Sequence, residues 1–208
     1  MSSKIRKESS ILRDLARTKL PVKYQNFSHI QKMTIILGDI STGKTTITAL
    51  LIIDALKSNS PNNITIIEMA PKKTIYKENT IGGRISDIIK LPSGIRLLQP
   101  KKIHSPRYSA KDKDELLNLV EENKKSIDTI LNHYMNNPTP ILFINDLSIY
   151  FQSGKWEKVF NVMQKAKVAL ANAYYGRSLE NDLKTGISKI ERKTLEKVSS
   201  KADMIIHL

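Results

Sequence analysis

The chain has 208 residues, of which 40% are hydrophobic and 26% charged, a composition typical of one globular α/β domain. The absence of cysteine excludes a disulfide framework and thiolate metal sites, and the four histidines are too scattered to predict a zinc site. A net charge of +14 would attract nucleic acid or other acidic partners, although the basic residues are spread along the chain. No segment reaches the roughly 18 apolar residues of a membrane span, so we expect a cytoplasmic protein.

Residues 4–19 are predicted to form a basic amphipathic helix that ends before Pro21. This helix either packs on the core or docks a partner. We therefore divide the chain into a basic N-terminal extension, residues 1–28, and one domain formed by residues 29–208.

The phosphate-binding motif GxxxxGK[ST] is present in full at Gly38–Thr45, directly after the apolar run Met33–Leu37. This order suits the motif, because a buried strand ends, the backbone turns with its amides inward, and a helix begins with its positive end at the phosphates. That helix is predicted from about residue 43 to residue 57. The predicted phosphate-binding residues are Gly38, Asp39, Ile40, Ser41, Thr42, Gly43, Lys44, Thr45 and Thr46.

Each residue type in this motif suits a particular task. Gly38 and Gly43 lack a Cβ, so the backbone can adopt positive φ and approach an anion without a clash. Lys44 is predicted to reach the β- and γ-phosphates, and the hydroxyl of Thr45 is predicted to ligate a Mg²⁺ ion that bridges them. The motif therefore predicts a nucleoside triphosphate ligand without specifying its base.

An irregular insertion follows the second apolar run, Ile64–Met69. Residues 71–107 contain paired glycines and several prolines around a short predicted helix, 85–91, and a short predicted strand, 94–99. Loops of this kind lie outside the sheet, so the insertion is the expected contact for a substrate or partner.

The rest of the chain alternates helices with apolar strands. Helices are predicted at about residues 111–136, 155–166 and 188–200, and apolar runs at 141–144, 168–171 and 204–208. Four apolar residues followed by two polar ones, as at 141–146, are typical of a buried parallel strand that delivers side chains to a nucleotide.

Polar side chains mark the ends of three predicted strands, at Glu68, at Asn145 and Asp146, and at Asn172. Because the carboxyl ends of parallel strands form the binding crevice, we expect these side chains to lie near the phosphate loop. A carboxylate can orient the metal through water, and a second one can polarise the attacking water, so Glu68 and Asp146 are candidate catalytic residues with Lys44. Asn172 would bond the γ-phosphate or hold that water.

Two registers remain open for the residue that faces the metal beside Thr45. In one register Asn145 occupies that position and Asp146 is its neighbour. If the strand runs one residue longer, Asp146 itself faces the metal.

The layout resembles the RecA-like branch of the P-loop ATPases, which includes RecA, archaeal recombinases and KaiC-like proteins. The resemblance rests on Gly38–Thr45, Glu68, Ile141–Ser148 and Asn172. In that family these places hold the phosphate loop, the catalytic glutamate, the metal-facing acid and a γ-phosphate sensor. One departure is that this chain has Asn145 before its acid, where the family usually has an acid followed by a small hydroxyl residue.

The resemblance implies a three-layer αβα fold with a mainly parallel sheet of five strands in the order 5-1-4-3-2. It also implies ATP and Mg²⁺ as ligands, and an assembly in which one subunit supplies a basic residue to its neighbour's site. Arg84, Arg107 and Arg177 are candidates for that role, because all three fall in predicted loops.

Three functions are compatible with these patterns. The first is an ATPase whose hydrolysis drives a conformational change in a partner protein or nucleic-acid complex. The second is a small-molecule or nucleotide kinase that uses the insertion at 71–107 as an acceptor pocket or lid. The third is a nucleotide-dependent binding switch with little turnover, suggested by Asn145.

Overall fold

The computed structural model describes residues 26–76, 79–179 and 181–208. The helix predicted for residues 4–19 lies outside the described residues, as does most of the predicted extension. Across the three described ranges, no helix combines the length and the apolar character that crossing a membrane requires.

A six-stranded parallel sheet forms the centre of the molecule. The strands of the described residues are β1 (Met33–Gly38), β2 (Ile64–Glu68), β3 (Thr74–Tyr76), β4 (Asn79–Ile81), β5 (Arg96–Leu98), β6 (Ile141–Asn145), β7 (Val168–Tyr174) and β8 (Met204–His207). The sheet has the order β5-β2-β6-β7-β1-β8, and all its neighbouring pairs are parallel. β3 and β4 form a separate antiparallel pair.

Helices cover both faces of this sheet. They are α1 (Lys44–Ala55), α2 (Ile85–Ile88), α3 (Pro106–Ser109), α4 (Lys113–Asn136), α5 (Ser148–Phe151), α6 (Glu157–Lys165) and α7 (Ile187–Ser199), with 3₁₀ turns at Phe27–His29 and Pro61–Asn63. On one face, α1 and α2 share a core cluster that includes Ile36 and Phe143. On the other face, α4, α6 and α7 share a cluster that includes Ile35 and Ile144. The predicted three-layer α/β class is therefore confirmed.

The predicted sheet of five strands in the order 5-1-4-3-2 is wrong in its strand count. With the sixth strand, the order becomes β5-β2-β6-β7-β1-β8 and so differs from the predicted one. β5 adds a sixth strand at the edge, outside β2. Leu98 is buried in the core of one face and Leu97 packs against the core of the other, while Nε of Arg96 donates a hydrogen bond to the Thr65 hydroxyl at 3.1 Å. These contacts hold a three-residue strand that the sequence indicated but did not place in the sheet.

The end of β7 also differs from the prediction. The strand continues to Tyr174, three residues past the predicted end at Ala171, so Asn172 lies inside the strand and does not close it. Tyr174 still pairs with Gly38 of β1, and this longer ladder brings the residues after β7 beside the phosphate loop.

Candidate functional site

The segment Gly38–Thr45 joins β1 to α1 as a tight turn. Two of its residues have positive φ, Ser41 at 58° and Gly43 at 88°. A Cβ on Gly38 would lie 2.6 Å from Oγ1 of Thr42, so a larger residue at position 38 would disrupt the loop. The backbone path thus favours glycine at position 43, whereas position 38 favours glycine because Thr42 and Leu208 lie close to it.

The backbone amides of this loop point to the chemistry it can perform. From Ser41 to Thr46, none of the amides has a hydrogen-bond acceptor among the described residues. The first turn of any helix leaves its amides without helical partners, but here the run begins three residues before α1. Consecutive free amides at the positive end of a helix bind an anion well.

Lys44 adds a cation to these amides. Its Nζ donates a hydrogen bond to the carbonyl oxygen of Asp39, within the same loop. Burial lowers the pKa of Lys44, and the carboxylates of Asp146 and Asp39 oppose that shift. The ammonium group therefore lies in a partly desolvated position, where its attraction for a phosphate is strengthened.

Asn145 is the last residue of β6, and its side chain lies next to that of Thr45. Its Oδ1 accepts hydrogen bonds from the Thr45 hydroxyl at 3.3 Å and from Nδ2 of Asn172 at 2.8 Å. Its Nδ2 donates to Oε1 of Glu68 at 2.6 Å and to the Gly83 carbonyl at 3.0 Å. Of the two residues considered for the metal-facing position, Asn145 is the one whose side chain contacts Thr45.

Glu68 ends β2 and is bonded through both carboxyl oxygens. Oε1 accepts from the Ala70 amide at 3.1 Å as well as from Asn145, and Oε2 accepts from the Ile85 amide at 2.9 Å. Burial raises the pKa of Glu68 to about 7, against the effect of these hydrogen bonds. Because only 1% of this residue is exposed, the geometry suits a residue that positions Asn145 and the start of α2.

Asp146 follows β6 with a positive φ of 67°, a conformation that aspartate tolerates better than most residues. Its amide donates to Oδ1 of Asn172 at 3.0 Å. Burial raises the pKa of its carboxyl, while the charge of Lys44 and a hydrogen bond from Ser148 oppose the shift. The side chain is thus an acid close to the phosphate-loop lysine.

Asn172 joins the loop helix to the strand ends from its position inside β7. Besides its bonds to Asn145 and to the Asp146 amide, its Nδ2 donates to the Thr48 hydroxyl of α1 at 2.9 Å. All the polar residues predicted at the strand ends therefore lie in one network next to the phosphate loop.

The three candidate arginines lie in different surroundings. The Arg107 side chain is 6% exposed and pairs with Glu191 of α7 at 2.8 Å, so it is not free to reach a neighbouring subunit. Nε of Arg84 donates to the Ala70 carbonyl at 3.4 Å. Arg177 is exposed, and its amide donates to Oδ2 of Asp39 at 3.2 Å, beside the phosphate loop.

Glu191 was not predicted as a functional residue from the sequence. It lies in the helix predicted at 188–200, on the buried face that also carries Ile187, Leu195 and Val198. A charge at a position that the helical period assigns to the core was the one available signal, because such charges usually require a buried partner.

The described part of the chain contains no cluster of three or more histidine or acidic side chains that could hold a metal. A Mg²⁺ ion on a nucleotide needs few protein ligands, since phosphate oxygens and water complete its coordination. Thr45 and Asn145 offer a hydroxyl and an amide oxygen 3.3 Å apart, both hard donors. These residues fit a nucleotide-bound Mg²⁺ ion but bring no negative charge to it.

No protein-family model matches the sequence, and no curated protein matches it significantly.

Proposed function

We propose that the chain binds ATP with Mg²⁺ at Gly38–Thr46 and hydrolyses it, and that it is a P-loop ATPase of the RecA-like kind. The observation that carries this proposal is the run of amides from Ser41 to Thr46 without acceptors among the described residues, which begins before α1 and surrounds the lysine of the same loop. These residues are exposed or half-buried, so a phosphate group can reach the amides, and a run of such donors at a helix N-terminus favours an anion.

The residues of the site divide into binding and reacting groups. The loop amides and Lys44 would bind the β- and γ-phosphates and stabilise the charge that develops on them. The Mg²⁺ ion, held by Thr45 and Asn145, would neutralise charge on the same two groups. Asp146 would orient the attacking water and accept its proton, because its carboxyl interacts with the charge of Lys44.

Glu68 has a different role in this proposal from the catalytic one that the family resemblance implies. Its two oxygens already accept three hydrogen bonds, from Ala70, Ile85 and Asn145. We assign it to positioning Asn145, and we assign Asn172 to holding both Asn145 and the backbone of Asp146.

The proposed output is a conformational change passed to a partner protein or to nucleic acid. The net charge of +14 supports an acidic partner. Arg177 is an exposed residue whose backbone amide bonds to Asp39, and this position supports assembly with a second subunit. A cytoplasmic location agrees with such a partner.

The test is ATP binding and phosphate release by the wild type and by Lys44→Ala, with and without DNA or RNA. Lys167→Ala is the matched control, because Lys167 is exposed and precedes β7 at the opposite end of the strand from the loop. We expect Lys44→Ala to lose binding or turnover with its fold retained, and Lys167→Ala to behave as the wild type. Unchanged activity in Lys44→Ala would contradict the site assignment.

A nucleotide-dependent switch with little turnover is the second candidate, and the contact between Thr45 and Asn145 favours it. A neutral amide at this position gives the metal less support than a carboxylate would. Tight ATP binding with negligible phosphate release, not restored in Asn145→Asp, would select the switch over the ATPase.

A further inference from the structure

A cavity separate from the loop amides lies beyond the carboxyl end of β7. It has a volume of about 300 Å³ and is bounded by the end of that strand, by the first half of α7 and by Arg107 of α3. This volume is at the lower end of the range, roughly 300–1,000 Å³, that pockets for small molecules occupy.

The lining of this cavity has an excess of positive charge. It includes three cationic side chains, Arg107, Lys189 and Arg192, and one carboxylate, Glu191. Tyr174, Tyr175 and Leu179 supply apolar and aromatic surface beside them. A cavity of this composition suits a ligand with a carbon skeleton and a negatively charged group.

The guanidinium group of Arg107 is only partly used by the protein. Its Nη2 donates to Glu191 at 2.8 Å and to the Ser188 hydroxyl at 3.3 Å. The side chain is only 6% exposed, and its Nε is buried without a hydrogen-bond partner among the described residues. A buried donor without a partner is unfavourable, and a bound ligand with an accepting oxygen would satisfy it.

We propose that this cavity binds a small molecule that carries a carboxylate or phosphate group, as a second ligand site distinct from the phosphate loop. The anionic group would lie among Arg107, Lys189 and Arg192, and the tyrosines would contact the rest of the molecule. Arginine presents several donors in one plane and therefore suits either oxyanion.

The cavity also adjoins the phosphate loop through two contacts. Arg107 lies close enough to Asp146 for its charge to lower the pKa of that carboxyl. Gly176 lines the cavity and lies against Asp39, so closely that a Cβ at Gly176 would come within 2.2 Å of the Asp39 carboxylate. A ligand in the cavity would therefore border the phosphate loop and lie near Asp146.

The experiment is calorimetric titration of the full chain with inorganic phosphate and, separately, with succinate, in a Lys44→Ala background that weakens the phosphate loop. We expect at least one probe to bind. Adding the pair Lys189→Gln and Arg192→Gln should lower the affinity for that probe at least tenfold. The control pair, Lys193→Gln and Lys197→Gln, removes the same charge from α7 outside the cavity lining and should change affinity less than threefold. The probe that binds distinguishes a phosphate-bearing ligand from a carboxylate-bearing one.

In contrast to the cavity pair, Glu191→Gln should raise the affinity for the probe. It removes the carboxylate that competes for Arg107 while keeping an oxygen that can accept from Nη2, so affinity for the probe should rise at least threefold. Unchanged or weaker binding would mean that Arg107 serves only the ion pair with Glu191, and would overturn its assignment to the ligand. The proposal is overturned if neither probe binds at about 10 mM, or if the control pair weakens binding as much as the cavity pair; neither result bears on nucleotide binding at the loop.

Discussion

The phosphate loop and the strand-end network lie side by side but differ in how their hydrogen bonds are used. In the loop, the amides from Ser41 to Thr46 have no acceptors among the described residues. In the network, Glu68, Asn145 and Asn172 bond to one another, to the backbone or to α1 through their side-chain oxygen and nitrogen atoms. The loop therefore has donors available to a ligand, whereas the polar groups of the network are already bonded within the protein.

Asp146 lies at the boundary between these two regions, since its amide belongs to the network and its carboxyl interacts with Lys44. Asp146→Asn should lower ATP turnover by about 100- to 10,000-fold, the usual effect of losing a general base, with ATP affinity within about threefold of the wild type. Steady-state phosphate release and equilibrium ATP binding measure the two quantities.

Glu68→Gln is the comparison for that variant. If Glu68 only positions Asn145, turnover should fall by less than about tenfold, because the glutamine keeps one accepting oxygen. A larger loss in Glu68→Gln than in Asp146→Asn would reverse our assignment of the two acids.

The second prediction concerns stability against pH in the network. Burial raises the pKa of Glu68 from 4.5 to about 7, so between these values the folded protein binds a proton that the unfolded chain has lost. The free energy of unfolding should therefore fall by about 3 kcal/mol from this group as pH rises through that window. Denaturant titrations from pH 4.5 to 8 should show a shallower fall in Glu68→Gln.

Glu191 contributes in the same direction, because burial raises its pKa to about 7 as well. Some slope should thus remain in Glu68→Gln. Parallel stability curves for the variant and the wild type would show that Glu68 does not titrate in this window.

The third prediction concerns a substitution of Asn145, the residue at the centre of the network. Asn145→Asp would replace the amide that donates to Glu68 at 2.6 Å by a second carboxyl group. Without nucleotide, we expect the variant to lose about 1–3 kcal/mol of stability at pH 8, since a buried hydrogen bond is replaced by repulsion. The loss should be smaller at pH 5, where protonation relieves the repulsion; equal losses at both pH values would mean that the two groups do not interact.

The sequence predicted the loop better than the network, for a physical reason. The loop is local, so its glycines, lysine and threonine have one required spacing, and the strand before it and the helix after it follow from the apolar pattern. The partners of Asn145 come instead from β2, β7 and α1, and their pairing depends on strand register.

Two other contacts were not predicted from the sequence for the same reason. The edge position of β5 depends on Leu97 and Leu98 packing on opposite faces of a sheet that only the folded chain assembles. The pairing of Arg107 with Glu191 joins residues 84 positions apart. The sequence carried a signal for each element, but not for the contact between them.

The smallest predicted effect separates backbone strain from ligand binding. Gly43 and Gly186 both precede a helix in the left-handed conformation, with φ of 88° and 80°. Alanine at either position should cost about 1–2 kcal/mol of stability, because a Cβ disfavours this conformation. At Gly186, no atom of the described residues beyond its chain neighbours lies within 4 Å of the added Cβ, so strain is the whole expected effect. Gly43→Ala should in addition weaken ATP binding, because the loop amides would move with the backbone, and equal ATP affinities in the two variants would place the phosphates elsewhere.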